Sequence, residues 1–277
     1  MYAGSLYYDV SLTLVPEAVR LLREFDHPNK AELLQAGSQL YSFVANASER
    51  LRAITLPPEL QQFREVMRYG FLSLKRVFAE GDWRAHVLFT ELVAELKPYR
   101  HLLEWLLRAP SLPSKPSVVE VNTVAPLFSA KLSAGAGASV TLVQKRELAE
   151  VSIVGEVVEE YFRRYDVQGQ VVELEDLSRP AALKGTADVI FAGSPDAWKV
   201  GWDTLLSLAL TVLKPKGYLA YLLPGNFREG LKTLLRFWDI SPFPEPLQAV
   251  ERLRKSGFGN VIVNTQECFY AIFAQRR

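Results

Sequence analysis

The feature that most constrains this sequence is a change of hydrophobic period at the segment 109–116, which contains three prolines. Before this segment, apolar residues recur at steps of three and four, the period of helices that bury one face. After it, short β-branched runs alternate with helical stretches, which is typical of a mostly parallel sheet covered on both faces. We therefore predict an all-helical bundle domain over 1–110, a stiff proline-rich linker over 111–116 and a Rossmann-like α/β domain over 117–277.

The helical part carries three long apolar stripes and one shorter segment. The stripes run over 33–54, 60–78 and 88–106, and a shorter helix is predicted over 16–25. Together they predict a four-helix bundle. Pro98 falls inside the last stripe and predicts a kink or a break there, because proline interrupts the hydrogen-bond ladder of a helix.

The α/β part carries seven short apolar runs that predict the strands of one sheet. The last two runs are separated by a short polar turn, so we expect them to pair antiparallel. The predicted strands are Val118–Val121, Val140–Val143, Val171–Leu174, Asp188–Ala192, Tyr218–Leu223, Asn260–Asn264 and Phe269–Phe273.

Composition excludes several classes of protein. The net charge is +1, and each half is close to neutral, which disfavours nucleic acid as the main partner. The single cysteine, Cys268, leaves no intrachain disulfide and indicates a reducing compartment; we predict it to be a small buried residue of a strand. No apolar run is long enough to span a bilayer, and the three histidines lack metal-ligand spacing. We expect a cytoplasmic protein without a membrane partner or a bound metal.

Several segments of the α/β part resemble one superfamily in their order and spacing. The first strand, Ser117–Val121, contains an acidic residue near its end, and the stretch from Leu213 to Tyr218 forms a Lys-Pro-Lys-Gly turn into a strand. Gly257-Phe258 followed by 269–273 is similar to a closing pair of strands. In these features the chain resembles the class I S-adenosylmethionine (SAM)-dependent methyltransferases, which implies their seven-stranded sheet.

The resemblance implies SAM as the cofactor, bound beyond the carboxyl ends of the first four strands. It assigns cofactor binding to Glu120, Asn122, Thr123, Pro126, Gln144, Glu175, Asp176 and Gly193. The chain departs from the family at two places. The family usually has a glycine-rich turn after the first strand, where the backbone approaches the cofactor, and an acid after the second strand that holds the ribose. This chain has Asn122–Pro126, which contains no glycine, and Gln144.

A narrower resemblance rests on three short segments, Lys97–Glu104, Pro126-Leu127 and Gly230–Leu235. They are similar to segments of nicotianamine synthase and of the bacterial aminobutanoyltransferases that build opine metallophores. This resemblance implies transfer of the aminobutanoate arm of SAM to an amine. Tyr99 is then the candidate that removes the proton of the amine, and Arg100 the candidate that holds a substrate carboxylate. The alternatives are that Tyr99 is a core residue and that Arg100 is a solvated helix charge.

Past the fourth predicted strand, three side chains have competing interpretations. Asp196 is predicted as the N-cap of the next helix, with a role as a base as the alternative. Trp198 and Trp202 either pack that helix or stack on a planar ligand, and packing is the prediction.

Two functional hypotheses follow. The first is a SAM-dependent transferase, either nicotianamine synthase-like or a methyltransferase, which acts on a small-molecule amine or amino acid. The second is a catalytically inactive binding or scaffold protein that retains the methyltransferase fold and has lost SAM, as the turn without glycine and Gln144 suggest. Under either hypothesis the bundle offers a surface for a homodimer.

Overall fold

The computed structural model describes residues 3–178, 180–225, 235–240, 243–266 and 269–277. Gly230–Leu234 of the narrower resemblance and Cys268 lie outside the described residues. The chain forms two compact units with a boundary at Leu92/Val93, and the described residues 235–240 belong to the first unit.

The first unit is helical, and its helices differ from the prediction in number and extent. Where the sequence predicted a short helix over 16–25, one long helix runs from Ala3 to Leu22 with Pro16 inside it. The stripe over 33–54 forms two helices that meet at Leu40 instead of one. The helices are α1 (Ala3–Leu22), α2 (Lys30–Gln39), α3 (Tyr41–Arg52), α4 (Pro58–Glu80) and α5 (Trp83–Ala94), the last of which ends just past the unit boundary.

Proline and glycine set the ends of the longest helix. Pro58 begins α4, where the missing N–H of proline costs no intrahelical hydrogen bond. Gly81 ends it with φ at 66°, a left-handed conformation that glycine adopts without steric cost. The apolar face between these ends is buried, as the helical period predicts.

Aromatic rings form much of the core of the first unit. Trp238 stacks on Phe71 with centroids 4.7 Å apart and on Phe89 at 6.0 Å. Gly70 leaves room for this cluster, since a Cβ at that position would lie 2.7 Å from the ring of Phe89. The described residues 235–240 therefore contribute to the core of the helical unit, although they follow the fifth strand in sequence.

The second unit contains the seven-stranded sheet that the sequence predicts. Its strand order is β3-β2-β1-β4-β5-β7-β6, with β1 to β5 parallel and β7 antiparallel to both β5 and β6. The antiparallel closing pair is thereby confirmed. The strands are β1 (Ser117–Val121), β2 (Ser139–Lys145), β3 (Gln168–Leu174), β4 (Ala187–Ala192), β5 (Leu213–Pro224), β6 (Phe258–Gln266) and β7 (Phe269–Arg276).

Helices alternate with the strands of this sheet, which confirms the Rossmann-like class. The predicted break near Pro98 is confirmed, because α5 ends at Ala94 and α6 begins at Lys97 with Pro98 in its first turn. Helix α6, assigned from the sequence to the bundle, belongs to the unit of the sheet. The helices are α6 (Lys97–Leu107), α7 (Leu127–Ala136), α8 (Arg146–Ala149), α9 (Ser152–Arg164), α10 (Pro195–Trp198), α11 (Trp202–Val212) and α12 (Pro246–Lys255). Within the described ranges, no helix has the length and apolar character needed to cross a membrane.

Candidate functional site

The candidate site is the carboxyl edge of the sheet at β1, where the strand order reverses. Strand β1 pairs with β2 on one side and with β4 on the other. The register aligns Val121 with Val143 and Glu120 with Phe191, so the residues that follow the three strands meet at this edge. Ligands of open α/β sheets bind at such a reversal.

Asn122 joins the ends of the three strands. Its φ is 45°, in the left-handed region that asparagine tolerates better than most residues. Its Nδ2 donates to the carbonyl of Asp196 at 2.8 Å, and its Oδ1 accepts from the backbone N–H of Lys145 at 3.1 Å. The hydroxyl of Ser194 donates to the carbonyl of Asn122 at 3.0 Å. This buried side chain therefore fixes the loops after β2 and β4 to β1.

Gln144, predicted to meet a ribose, is directed into the same network. Its Nε2 donates to the carbonyl of Thr123 at 2.9 Å, and only 2% of the residue is exposed. The Thr123 hydroxyl bonds in turn to the backbone of Ala125, accepting from its N–H at 3.2 Å. The turn between β1 and α7 is thus braced by side chains at the place where the family has glycine.

The side chains of this turn are buried. Thr123 and Val124 expose none of their surface, Ala125 exposes 2%, and Pro126 is buried as well. A glycine-rich turn would present bare backbone at this place, whereas here side chains pack on it.

The buried side chain of Glu120 forms a hydrogen bond with the N-terminal turn of α7. Its Oε2 accepts from the backbone N–H of Ser129, in the first turn of that helix, at 3.0 Å. The N-cap position is held by Pro126, which supplies no capping side chain, so the carboxyl group of Glu120 satisfies a terminal amide. Burial raises the pKa of the Glu120 carboxyl to about 7, against the opposing effect of the hydrogen bonds from Ser129.

Tyr99, the candidate base, lies in α6 with 4% of its surface exposed. Its ring packs edge-on against Phe128 and Phe191, with centroids 5.9 and 5.3 Å away, and those two rings stack at 3.7 Å. Burial, together with the nearby carboxylate of Glu120, raises the pKa of the Tyr99 hydroxyl well above 10. These contacts are those of a core tyrosine, and the catalytic role stays a prediction. Arg100 is exposed to solvent.

Glu175 and Asp176, which the resemblance assigns to cofactor binding, follow β3, two strands away from β1. Glu175 pairs with Arg146 at 2.8 Å, and its side chain is 76% exposed. Asp176 accepts from the backbone N–H of Ser178 at 2.8 Å and is exposed as well. The structure therefore places both carboxylates in solvent, away from the hydrogen bonds that centre on Asn122.

The loop after β4 contains a capping residue that the sequence analysis missed. Ser194, not Asp196, is the N-cap of α10, and its Oγ accepts from the N–H of Ala197 at 3.1 Å. The prediction for Asp196 was wrong, because Pro195 takes the first helical position and the residue before it becomes the cap. Asp196 lies inside the helix, buried, and pairs with Lys199 at 3.2 Å. The Ser-Pro order was the signal that could have shown this.

Gly193 and the two tryptophans complete the loop after β4. A Cβ at Gly193 would lie 2.4 Å from the ring of Phe191, so close packing accounts for this glycine. Trp198 donates its Nε1 to the carbonyl of Leu222 at 2.8 Å and packs on Phe269, which confirms the packing prediction. Trp202 is also buried.

The strand order and the alternating helices define the class I methyltransferase fold, and solved structures agree. The chain is similar to a CurJ carbon methyltransferase, with a TM-score of 0.59 and 14% identity over 98% of this chain and 91% of that one. It is similar to a DszA carbon methyltransferase at a TM-score of 0.59 and 12% identity, over 98% and 88% of the two chains.

A third structure is the Haemonchus contortus phosphoethanolamine N-methyltransferase 2 in complex with S-adenosyl-L-methionine, with a TM-score of 0.54 and 14% identity over 70% of this chain and 46% of that one. At these identities the likeness shows the fold. No protein-family model matches the sequence, and no curated protein sequence matches it.

Proposed function

We propose that this chain is a methyltransferase-fold binding protein that does not use SAM. The observation that carries the proposal is the hydrogen-bond network around Asn122. In it the side chains of Asn122, Gln144 and Ser194 bond to backbone groups at the edge of the sheet where a nucleoside would bind. Fold alone does not decide activity, because one fold hosts many functions that differ in their sites.

The residues at this edge do not fit a nucleoside cofactor. A ribose would need the amide of Gln144, which is buried and bonded to the Thr123 carbonyl. Breaking that bond would leave the buried Thr123 carbonyl without a donor, and an unsatisfied buried group costs about 1–3 kcal/mol. Val124, which exposes none of its surface, also stands in the turn where the resembled family has bare glycine backbone. The cost of breaking the Gln144 hydrogen bond subtracts directly from the affinity for SAM.

A second candidate is a SAM-dependent transferase, and one observation favours it. The likeness to the two carbon methyltransferases covers 98% of this chain, so it includes the helical part as well as the sheet. Under this candidate the acceptor is a small-molecule amine, an amino acid or a carbon centre. Methyl transfer would leave S-adenosylhomocysteine, whereas the nicotianamine synthase-like transfer of an aminobutanoyl group would leave methylthioadenosine.

Calorimetry with the full chain separates the two candidates. We expect no binding heat and no thermal shift with SAM or S-adenosylhomocysteine at millimolar concentration. A dissociation constant well below 1 mM for the unaltered chain, or release of either nucleoside product, would support the transferase instead. The double substitution Val124→Gly with Gln144→Asp restores the glycine and the acid of the family. A gain of SAM binding in that variant would show that these two side chains close the edge.

Two further proposals concern the setting of the protein. We place it in the cytoplasm, on the basis of its single cysteine. We also propose that it forms a homodimer through the helical unit, where Tyr41 and Phe43 of α3 are each 52% exposed. Sedimentation of the full chain and of a Phe43→Ser variant tests this, since a monomer at micromolar concentration would contradict it.

A further inference from the structure

A groove in the helical unit lies between α1 and α4. Its volume is about 560 Å³, within the range of sites that bind small molecules. Leu21 and Val66, both buried, form its floor. Tyr69, Leu72 and Leu92 also line it, and Leu72 is 38% exposed. The groove therefore offers apolar surface that a ligand can cover.

The charged groups around this groove are paired with one another. Arg68 of α4 donates to Glu17 of α1 at 2.8 Å and to Glu65 at 3.4 Å. Arg20, the other lining cation, pairs with Glu24 at 2.7 Å. An ionic ligand would have to compete with a partner that is already in place, so the lining favours an uncharged molecule.

Tyr69 supplies the groove with a polar group, its hydroxyl, that is not engaged with a neighbouring side chain among the described residues. It lies half-buried in the lining, and within the part of the chain that the structure describes its hydroxyl makes no hydrogen bond. A phenol hydroxyl can donate one hydrogen bond and accept another. It can therefore orient a ligand that carries one oxygen.

We propose that this groove binds a neutral, mainly apolar small molecule with a single hydroxyl or carbonyl group, which bonds to Tyr69 while Leu21, Val66 and Leu72 cover its apolar body. This site lies in the helical unit and does not depend on whether the sheet binds SAM. Its test and the SAM calorimetry can therefore fail separately.

Three naphthalene probes of matched size test the charge preference on the full chain. They are 2-naphthol, 2-naphthoate and 2-naphthylmethylammonium, and binding is followed by calorimetry at pH 7. We expect 2-naphthol to bind at least about tenfold more tightly than either ion, a ratio that corresponds to about 1.4 kcal/mol. Equal affinities for the three probes, or no binding of 2-naphthol at 1 mM, would overturn the proposal.

Substitutions locate the bound probe. Tyr69→Phe keeps the ring, and we expect the affinity for 2-naphthol to fall about three- to tenfold through the lost hydrogen bond. Leu72→Glu places a charge in the apolar wall and should abolish binding. The control is Leu88→Glu, a leucine of similar exposure (41% against 38%) outside the lining, which should leave binding unchanged. Loss of binding in the Leu88 variant, or retention in the Leu72 variant, would contradict the assignment. If the chain forms a dimer that the Leu72→Glu substitution dissociates and 2-naphthol does not, the groove binds a second copy of the chain. That result would also overturn the proposal.

Discussion

Replacing Glu120 by glutamine tests a buried ionisable group of the sheet unit. The Glu120 carboxyl is 2% exposed and accepts the Ser129 N–H at the start of α7. Glutamine has nearly the same shape and keeps an acceptor oxygen for that N–H. The substitution therefore removes the titration while it retains the contact.

The expected size of the effect follows from the pKa of this carboxyl. Burial raises it from 4.5 to about 7, so the folded state holds the proton more tightly than the unfolded state does. Between about pH 4.5 and pH 7 the native state carries a proton that the unfolded state has lost, and the free energy of unfolding falls as the pH rises. Each tenfold change in proton affinity corresponds to about 1.4 kcal/mol, so the loss reaches about 3 kcal/mol at pH 8.

Urea unfolding of the unaltered chain and of Glu120→Gln at pH 5, 6, 7 and 8 measures this. The difference between the two cancels the other titrating groups. We expect the stability of the variant relative to the unaltered chain to rise by about 2.5 kcal/mol between pH 5 and pH 8, because part of the loss lies below pH 5, and we expect the variant to be the more stable of the two at pH 8. A difference that stays constant with pH, or that runs in the opposite direction, would refute the reasoning. Titration of the Glu120 side chain by carbon NMR, assigned with the variant, gives the pKa directly.

Three further substitutions have expected outcomes that unfolding experiments check. Asn122→Ala should lower the free energy of unfolding more than Asn122→Gly does, by about 1–2 kcal/mol, because alanine pays for the left-handed φ in addition to the lost hydrogen bonds; equal losses would contradict a backbone contribution. Gly70→Ala should destabilise the helical unit by about 1–3 kcal/mol, since its methyl group would meet Phe89, and an unchanged melting temperature would show that the aromatic cluster yields. Trp198→Phe should cost about 1–3 kcal/mol through the carbonyl of Leu222 left without its donor, and a smaller loss would mean that water reaches it.

The periodic pattern was sufficient for the sheet and insufficient for the ends of several helices. Every predicted strand lies in a strand of the structure, because β-branched runs between turn residues carry a local signal. The break at Leu40 was not predictable in this way, since the apolar period continues through it and the nearby Gly37 lies within the last turn of α2. Pro16 misled the prediction in the other direction, because proline normally begins a helix and here lies inside one.

The candidate site was predictable in position and not in its hydrogen bonding. The order of the strands placed Asn122, Gln144 and Gly193 at one edge, and the register confirms that they follow neighbouring strands. That Gln144 bonds to the Thr123 carbonyl depends on the side-chain direction of a buried amide, which spacing along the chain does not encode. Likewise, the aromatic neighbours of Tyr99 come from α7 and β4, which are distant in sequence.

The placement of Trp238 has a consequence for how this architecture can be taken apart. The tryptophan that fills the space beside Phe71 and Gly70 is encoded more than a hundred residues beyond the end of α5. No single cut of the polypeptide separates the helices with a complete interior from the sheet. A fragment that stops at residue 110 would lack Trp238 and expose the ring of Phe71 to water. A gene recombined with a relative at that point would encode a helical unit with the same cavity unless the relative supplied an equivalent tryptophan. The two units are therefore expected to be inherited, and to be expressed, as one piece.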